Sequence, residues 1–359
     1  MPYNILSHYT HKMYSTRIQK SFRVLLISLF LISCHSIQAQ IFPSFGGERA
    51  GVSLGSMLKI GSGARAAGMS ETVVSVVDDA SAVYWNPAAI TQSISHHAQF
   101  TQTNWFGGLT HQSANCIYKI NDASTIGIGI NNLSAGSIAV TTEYRPLGTG
   151  EFIDFRTLSF GISYAQQFTE QFSSGITVKY LDERFGVLGL KGVLFDAGTF
   201  YKTGLGTSRF AVAISNFGSK LTPNGTVRNA GGPPNFNGQN IQSFQSFDPP
   251  INFRIGFALE PIIDSMQAWT LSVQLNHPSD NAENYSLGSE YSVMFSEAFP
   301  AKMIARCGYK IGSDQERYSF GAGVYIPISG QDFLLQLDYS YSDFIAWGGI
   351  QRFTAGIRF

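Results

Sequence analysis

Across 359 residues the composition never shifts in a way that would divide the chain into two globular halves, and one large all-β unit fits the length. Charged residues make up 13% of the chain, about half the share usual in a soluble domain, while glycine (37), phenylalanine (28) and tyrosine (16) abound. The formal net charge of zero excludes a broad basic face for nucleic acid, and past the first forty residues no run of about 18 apolar residues exists to make a helical membrane span.

At the start, Arg17, Lys20 and Arg23 precede the apolar stretch Val24 to Ile32, and Ala39 stands ahead of Gln40. A basic region, an apolar core too short to span a bilayer and a small residue at the cut are the layout of a secretory signal over residues 1–39. Met13 is an alternative start. A rival reading takes Leu31 to Cys34 as a lipoprotein box with Cys34 acylated, although a barrel already in a membrane gains little from a lipid anchor.

Residues 40–95 do not alternate. They carry Gly61-Ser62-Gly63-Ala64-Arg65-Ala66-Ala67-Gly68-Met69, and then Asp78-Asp79-Ala80-Ser81-Ala82-Val83-Tyr84-Trp85-Asn86-Pro87-Ala88-Ala89. The small residues allow close backbone packing. Asp78 and Asp79 suit the cap of a short helix over Ala80 to Trp85, which Asn86-Pro87 ends, because the residue before proline is driven to an extended conformation. Asp78, Asp79 and Asn86 are also suited to hydrogen-bonding exposed backbone inside a lumen, so the segment is expected to be a plug or hatch. Arg65 is expected to pair with Asp78 and Asp79 in a tie that holds the hatch, the competing role being to orient an anionic ligand. Trp85 is expected to pack the hatch in preference to stacking on a ligand.

From residue 96 the sequence falls into segments of about ten residues with period-two character, as a barrel wall requires when alternate residues face lipid and lumen. The segments predict strands at about 97–106, 109–119, 123–133, 155–168, 171–183, 192–202, 208–217, 251–260, 267–277, 284–294, 301–311, 316–326, 332–342 and 350–359. The near-zero mean hydropathy of +0.02 follows from this interleaving. Gly136 to Tyr144 also alternates. An odd strand count would separate the two chain ends across the membrane, so it is assigned to a hairpin within an outer loop. Parity then places 135–154 and 218–250 outside as long loops, and Thr169-Glu170, Thr203 to Gly206 and Pro327 to Gly330 inside as short turns. The fold class is therefore all-β: a transmembrane antiparallel barrel of about fourteen strands over 96–359, with an amino-terminal hatch containing a short helix. Phe353, Ala355, Ile357 and Phe359 end the last strand on one face, resembling the signal that outer-membrane assembly machinery recognises. Trp105, Trp269 and Trp347 lie near strand ends and are read as interface girdle residues.

The small-residue run from Gly61 to Met69, joined to the Asp78 to Ala89 run, resembles the signature of the PorV/PorQ family of Bacteroidota outer-membrane proteins. The looser Asp78-Asp79-Ala80-Ser81 with Asn86-Pro87-Ala88 resembles the hatch of FadL-type fatty-acid transporters. The resemblance implies a FadL-like fourteen-stranded barrel in the outer membrane, associated with type IX secretion, with translocon subunits or signal-domain cargo as partners. Ser70-Glu71-Thr72 stands where many relatives place a glycine-rich step.

Other chemistries find little support. Gly61, Gly63, Arg65 and Gly68 lack the Lys-Ser/Thr step and βαβ setting of a phosphate loop. His96 and His97 are adjacent and face opposite ways, and His111 and His277 lack partners at ligand spacing, so no metal or other cofactor is expected. No motif pairs a serine with a histidine for hydrolysis, and the chain is read as no enzyme. Cys116 and Cys307 lie on separate predicted strands, where a disulfide would face strict geometry. The proline-rich loop 218–250 carries Phe236, Phe244 and Phe247, which a folded loop can present to a partner or fold over the barrel as a lid. Two functions stay open: a binding component of protein secretion, and a transporter of hydrophobic small molecules.

Overall fold

Period-two alternation between polar and apolar residues decides the architecture, because one face of every strand must meet the lumen and the other must leave it. A computed structural model describes residues 50–228, 240–241, 244–296, 300–328 and 333–359. The strands are β1 (His97–Asn104), β2 (Thr110–Lys119), β3 (Ser124–Ala139), β4 (Phe152–Gln167), β5 (Phe172–Phe185), β6 (Leu188–Lys202), β7 (Arg209–Gly218), β8 (Val227–Arg228), β9 (Asn240–Ile241), β10 (Asn252–Ile263), β11 (Gln267–Pro278), β12 (Asn284–Met294), β13 (Lys302–Ile311), β14 (Glu316–Ile328), β15 (Phe333–Phe344) and β16 (Gly348–Arg358). Fourteen of them form one closed antiparallel barrel in which chain neighbours are sheet neighbours. β7 pairs with β10, and β8 with β9 forms a separate two-residue ladder within the long connection. The barrel closes where β1 meets β16, His97 opposite Arg358 and Asn104 opposite Gln351.

Inward faces are polar and outward faces apolar, the reverse of a water-soluble barrel. On β1, His97, Gln99, Thr101 and Thr103 are buried while Phe100 is exposed; on β4, Thr157, Ser159 and Ser163 are buried while Phe160, Ile162 and Tyr164 are exposed. Lipid, not water, is the solvent that such an outer wall suits.

Two wall details depart from the sequence expectation. Gly136 to Ala139 is no separate hairpin: pairing with β4 shifts register between Ser134 and Gly136 and then resumes, Ser137 opposite Asp154 and Ala139 opposite Phe152. Gly136 at φ 65° takes up the bulge, so β3 and β4 simply run on past it and the even strand count stands. Trp105 is not a girdle residue. It packs among Phe106 and Phe344, ring centroids 5.0 and 5.4 Å away, with the Arg352 guanidinium over its ring. Cys116 and Cys307 are free thiols on exposed positions.

The two long connections, 140–151 and 219–251, leave the barrel at the end opposite the β1–β16 start, and the turns 168–171 and 203–208 lie at the other end. The first is called the loop end below.

Candidate functional site

The core of the protein is residues 55–93, which lie inside the barrel. Their helical pieces are a 3-10 turn at Ser56–Lys59, α1 (Ala64–Gly68), α2 (Ala82–Trp85) and a 3-10 turn at Pro87–Gln92. α1 packs on β13 to β16, and the last turn packs on β3 to β6, so the segment bridges the lumen from wall to wall. The helix in the second motif begins at Ala82, two residues later than the sequence suggests. Asp79 explains the delay, since its Oδ1 accepts from the Ser81 N–H (2.8 Å) and hydroxyl (2.5 Å), closing a separate turn ahead of α2.

Close approach is purchased with glycine on both sides. The backbone of Met69 and Ser70 lies so near Gly308 that a Cβ there would sit 2.3 Å from the Met69 carbonyl carbon, and a Cβ on Gly68 would sit 2.9 Å from the Gly321 Cα. A Cβ on Gly198 would meet Asn86 Oδ1 at 2.0 Å, and one on Gly61 would meet the Trp85 ring at 2.6 Å. Gly63 also holds φ 93°, the left-handed side that favours glycine.

Ionic ties cluster on one sector of the wall. Arg65 makes two parallel bonds to Glu290 of β12, Nε to Oε2 and Nη2 to Oε1, each 2.9 Å. Its Nη1 also reaches Asp78, and Asp79 at 3.2 Å. Arg306 of β13 extends the network to Glu290 and Asp338, both at 2.6 Å. Lys310 of β13 holds Glu71 at 2.8 Å, and Lys59 holds Asp280 at 2.7 Å. Burial would raise the Asp78 carboxyl, but the Arg65 and Arg358 guanidinium groups more than reverse it and hold it well below the usual carboxylate range. The Glu71 carboxyl is lowered in the same way, burial being outweighed by Lys310 and Arg352.

The opposite sector is joined by hydrogen bonds. Asn86 ends α2 in extended backbone, and its side chain serves three partners: Nδ2 donates to Val74 O and Thr199 O, and Oδ1 accepts from Ala88 N, each at 3.1 Å. Pro87 then opens the next turn, where a missing N–H costs nothing. Trp85 is buried, donates Nε1–H to Ser62 O at 2.8 Å and carries the Arg254 guanidinium 5.2 Å above its ring. Tyr84 donates to Leu58 O at 3.0 Å, and burial pushes its phenol up to about 12.

Toward the loop end a cavity of about 470 Å³ opens above this segment. Leu58, Ile60, Trp105, Phe106 and Trp347 give it an apolar side, and Lys59, Glu71, Arg254, Asp280 and Lys310 a charged one. Among the described residues no group of three or more His, Cys, Asp or Glu could hold a metal ion.

A family model for the type IX secretion system protein PorV matches residues 48–278, more than half of the chain. The chain belongs to the PorV family. No curated protein matches it. Among solved structures, this PorV-family barrel is similar to the toluene transporter TbuX of Ralstonia pickettii (13% identity, 83% of this chain and 98% of that one, TM-score 0.54). It is likewise similar to a FadL homologue of Pseudomonas aeruginosa (11%, 82% and 97%, 0.51) and to the toluene transporter TodX of Pseudomonas putida (10%, 83% and 97%, 0.54). Identities this low show a shared FadL-like fold. PorV membership and that fold are both of outer-membrane barrel proteins.

Within the PorV-family motif the structure brings Arg65, Asp78 and Asp79 into one cluster, and stacks Gly61 on Trp85. Ser70 and Glu71, at the departure from the glycine-rich step, hold φ 49° and 62°, which glycine would adopt without strain. Phe244 and Phe247 are half-buried, and Phe247 exchanges backbone hydrogen bonds with Leu221, which is fully buried. Phe236 lies outside the described residues, as do the leader and Cys34. Sequence reasoning missed Glu290, Arg306 and Lys310. Their signal was a charged residue at an inward position of an amphipathic strand.

Proposed function

We propose that this barrel is a non-catalytic docking component of type IX protein secretion, exported by a cleaved leader over residues 1–39 and binding translocon subunits, signal-domain cargo or both at its loop end. One observation carries the reading: residues 55–93 are tied by polar groups to the wall on both sides of the lumen, Arg65 to Glu290, Glu71 to Lys310 and Asn86 to β6, as a fixed hatch would be. At the loop end Tyr144, Leu147, Phe152, Val187 and Trp347 are all more than half exposed, an apolar set that a docking partner would cover. PorV membership supports the same role.

A second reading, transport of a hydrophobic small molecule, is favoured by the apolar side of the 470 Å³ cavity. Affinity purification of the tagged full-length protein from its native outer membrane separates the two. Recovery of translocon subunits or signal-domain cargo supports docking. Their absence, together with a co-purified lipid or other hydrophobic compound, rejects it.

A further inference from the structure

At the loop end two strands rise past their neighbours. β2 begins at Thr110, opposite Ser134, but β3 continues to Ala139, so among the described residues no strand lies beside 136–139 on the β2 side. On the far side, β4 pairs with β5 only as far as Phe155 opposite Phe185. What projects is a two-stranded ribbon, with Ser137 opposite Asp154, Ile138 opposite Ile153 and Ala139 opposite Phe152. Just beyond it, the Val140 N–H donates across the ribbon to Glu151 O at 2.9 Å. Antiparallel strands turn alternate residues to alternate neighbours, so the backbone N–H and C=O of Ser137 and Ala139 point out of the free edge.

Edge backbone of this kind is normally guarded by a lysine, a proline or a covering segment. The other flank of the same raised wall is guarded. Beyond Leu194, where its pairing with β7 stops, β6 is bridged by Asn224, which exchanges two 2.8 Å backbone bonds with Gly189, and it carries the exposed Lys191. The β3 edge has no such protection: residues 136–142, Gly-Ser-Ile-Ala-Val-Thr-Thr, hold neither charge nor proline, and 136–139 are all exposed. Ile138 and Phe152 stand 38% and 65% exposed on opposite faces of the ribbon. Two strands alone are marginal in water, and a third steadies them.

We propose that a partner protein adds an extended, uncharged segment as a third strand along this β3 edge, its alternate side chains packing beside Ile138 on one face and over Ala139 on the other. The main-chain bonds of Ser137 and Ala139 supply affinity, and the alternate side chains supply specificity. The inference rests on the docking reading and names its point of contact. A second copy of this chain does not fit the edge. Barrel strands tilt by roughly 40° from the membrane normal, so a copy turned about that normal would bring its own β3 across this one at about 80°, not alongside it.

The test compares the tagged full-length barrel, purified from its native outer membrane, with its Ala139→Pro and Ala139→Val variants. Proline removes an N–H that β4 does not use, and valine keeps it. Recovery of translocon subunits or signal-domain cargo is expected to fall about tenfold in Ala139→Pro and to hold in Ala139→Val. Single-amide hydrogen exchange on the parent does not depend on how the variants fold: the Ser137 and Ala139 amides are expected to exchange freely in the barrel alone and to gain protection in the complex. Undiminished recovery by Ala139→Pro, or a complex in which both amides still exchange freely, overturns the strand edge and leaves docking standing. Protection already present in the isolated barrel, the mark of an edge covered by its own chain or by a second copy, overturns it too. No partner recovered by the parent overturns both readings.

Discussion

Arg65 of the lumenal segment and Glu290 of β12 meet as a planar fork, two parallel bonds of 2.9 Å joining residues 225 positions apart in sequence. The geometry is the strong, directional form of the guanidinium–carboxylate pair. Both side chains are only 11% exposed, and the same arginine serves Asp78 and Asp79. A buried pair is weak evidence for stability as such, but breaking it from one side leaves charge stranded.

Arg65→Gln is therefore expected to destabilise the protein by about 3–5 kcal/mol, measured by guanidinium unfolding in detergent. Because Glu290 keeps Arg306 as a partner, adding Glu290→Gln is expected to cost less in the Arg65→Gln background than on its own, where both arginines lose it. A double variant as unstable as the sum of the two singles would show that the pair is not coupled.

Acid tests the same ties. Asp78 and Glu71 have carboxyls held below their ordinary values in the folded state. A lowered folded pKa contributes stability that is full above the unfolded value, roughly 4, and is lost as pH falls through the folded value. The lumenal segment is thus expected to stay attached from neutral pH down to about 4 and to loosen only below it. Trp85 emission, taken as the difference from Trp85→Phe, reports the event; loosening between pH 7 and 5 would contradict the assignment.

The glycine contacts make a steric prediction. At Gly308 a methyl group would overlap backbone of Met69 and Ser70, which cannot swing aside as a side chain can. Gly308→Ala is expected to displace the segment or cost about 1–3 kcal/mol as an overpacked site. Limited proteolysis between residues 55 and 93 is the direct assay, with cleavage of the variant at protease levels that leave the parent intact.

Most of the barrel could be read from the sequence, because alternation is local: β12 spans Asn284–Met294 as expected, and other strands differ by a few residues at their ends. The run-on of β3 could not, since it depends on pairing resuming with β4 after a bulge. Arg65 with Asp78 and Asp79 was legible from one short motif. Glu290 and Lys310 were not assigned to it, because which strand faces α1 is settled by closure of the whole barrel and not by any nearby residue. Trp105 shows the same limit, a strand-end aromatic that turns inward to lie beside Arg352 across the seam.

Asn86 is the position at which a single atom change is most informative. Its amide nitrogen donates to two carbonyls, Val74 O within the segment and Thr199 O on β6, while its oxygen caps the turn at Ala88. Asn86→Asp keeps the shape and the cap but turns an acceptor oxygen toward two carbonyl oxygens in a fully buried site. The cost expected is about 2–3 kcal/mol or more, exceeding the cost of any loss of packing because the shape is unchanged. The unfolding midpoint measured at pH 7 and again near pH 4 checks the cause. Protonation restores one donor, so the deficit relative to the parent should shrink at the lower pH. A deficit that is equal at both would place the damage in packing and remove Asn86 as the stitch between the segment and β6.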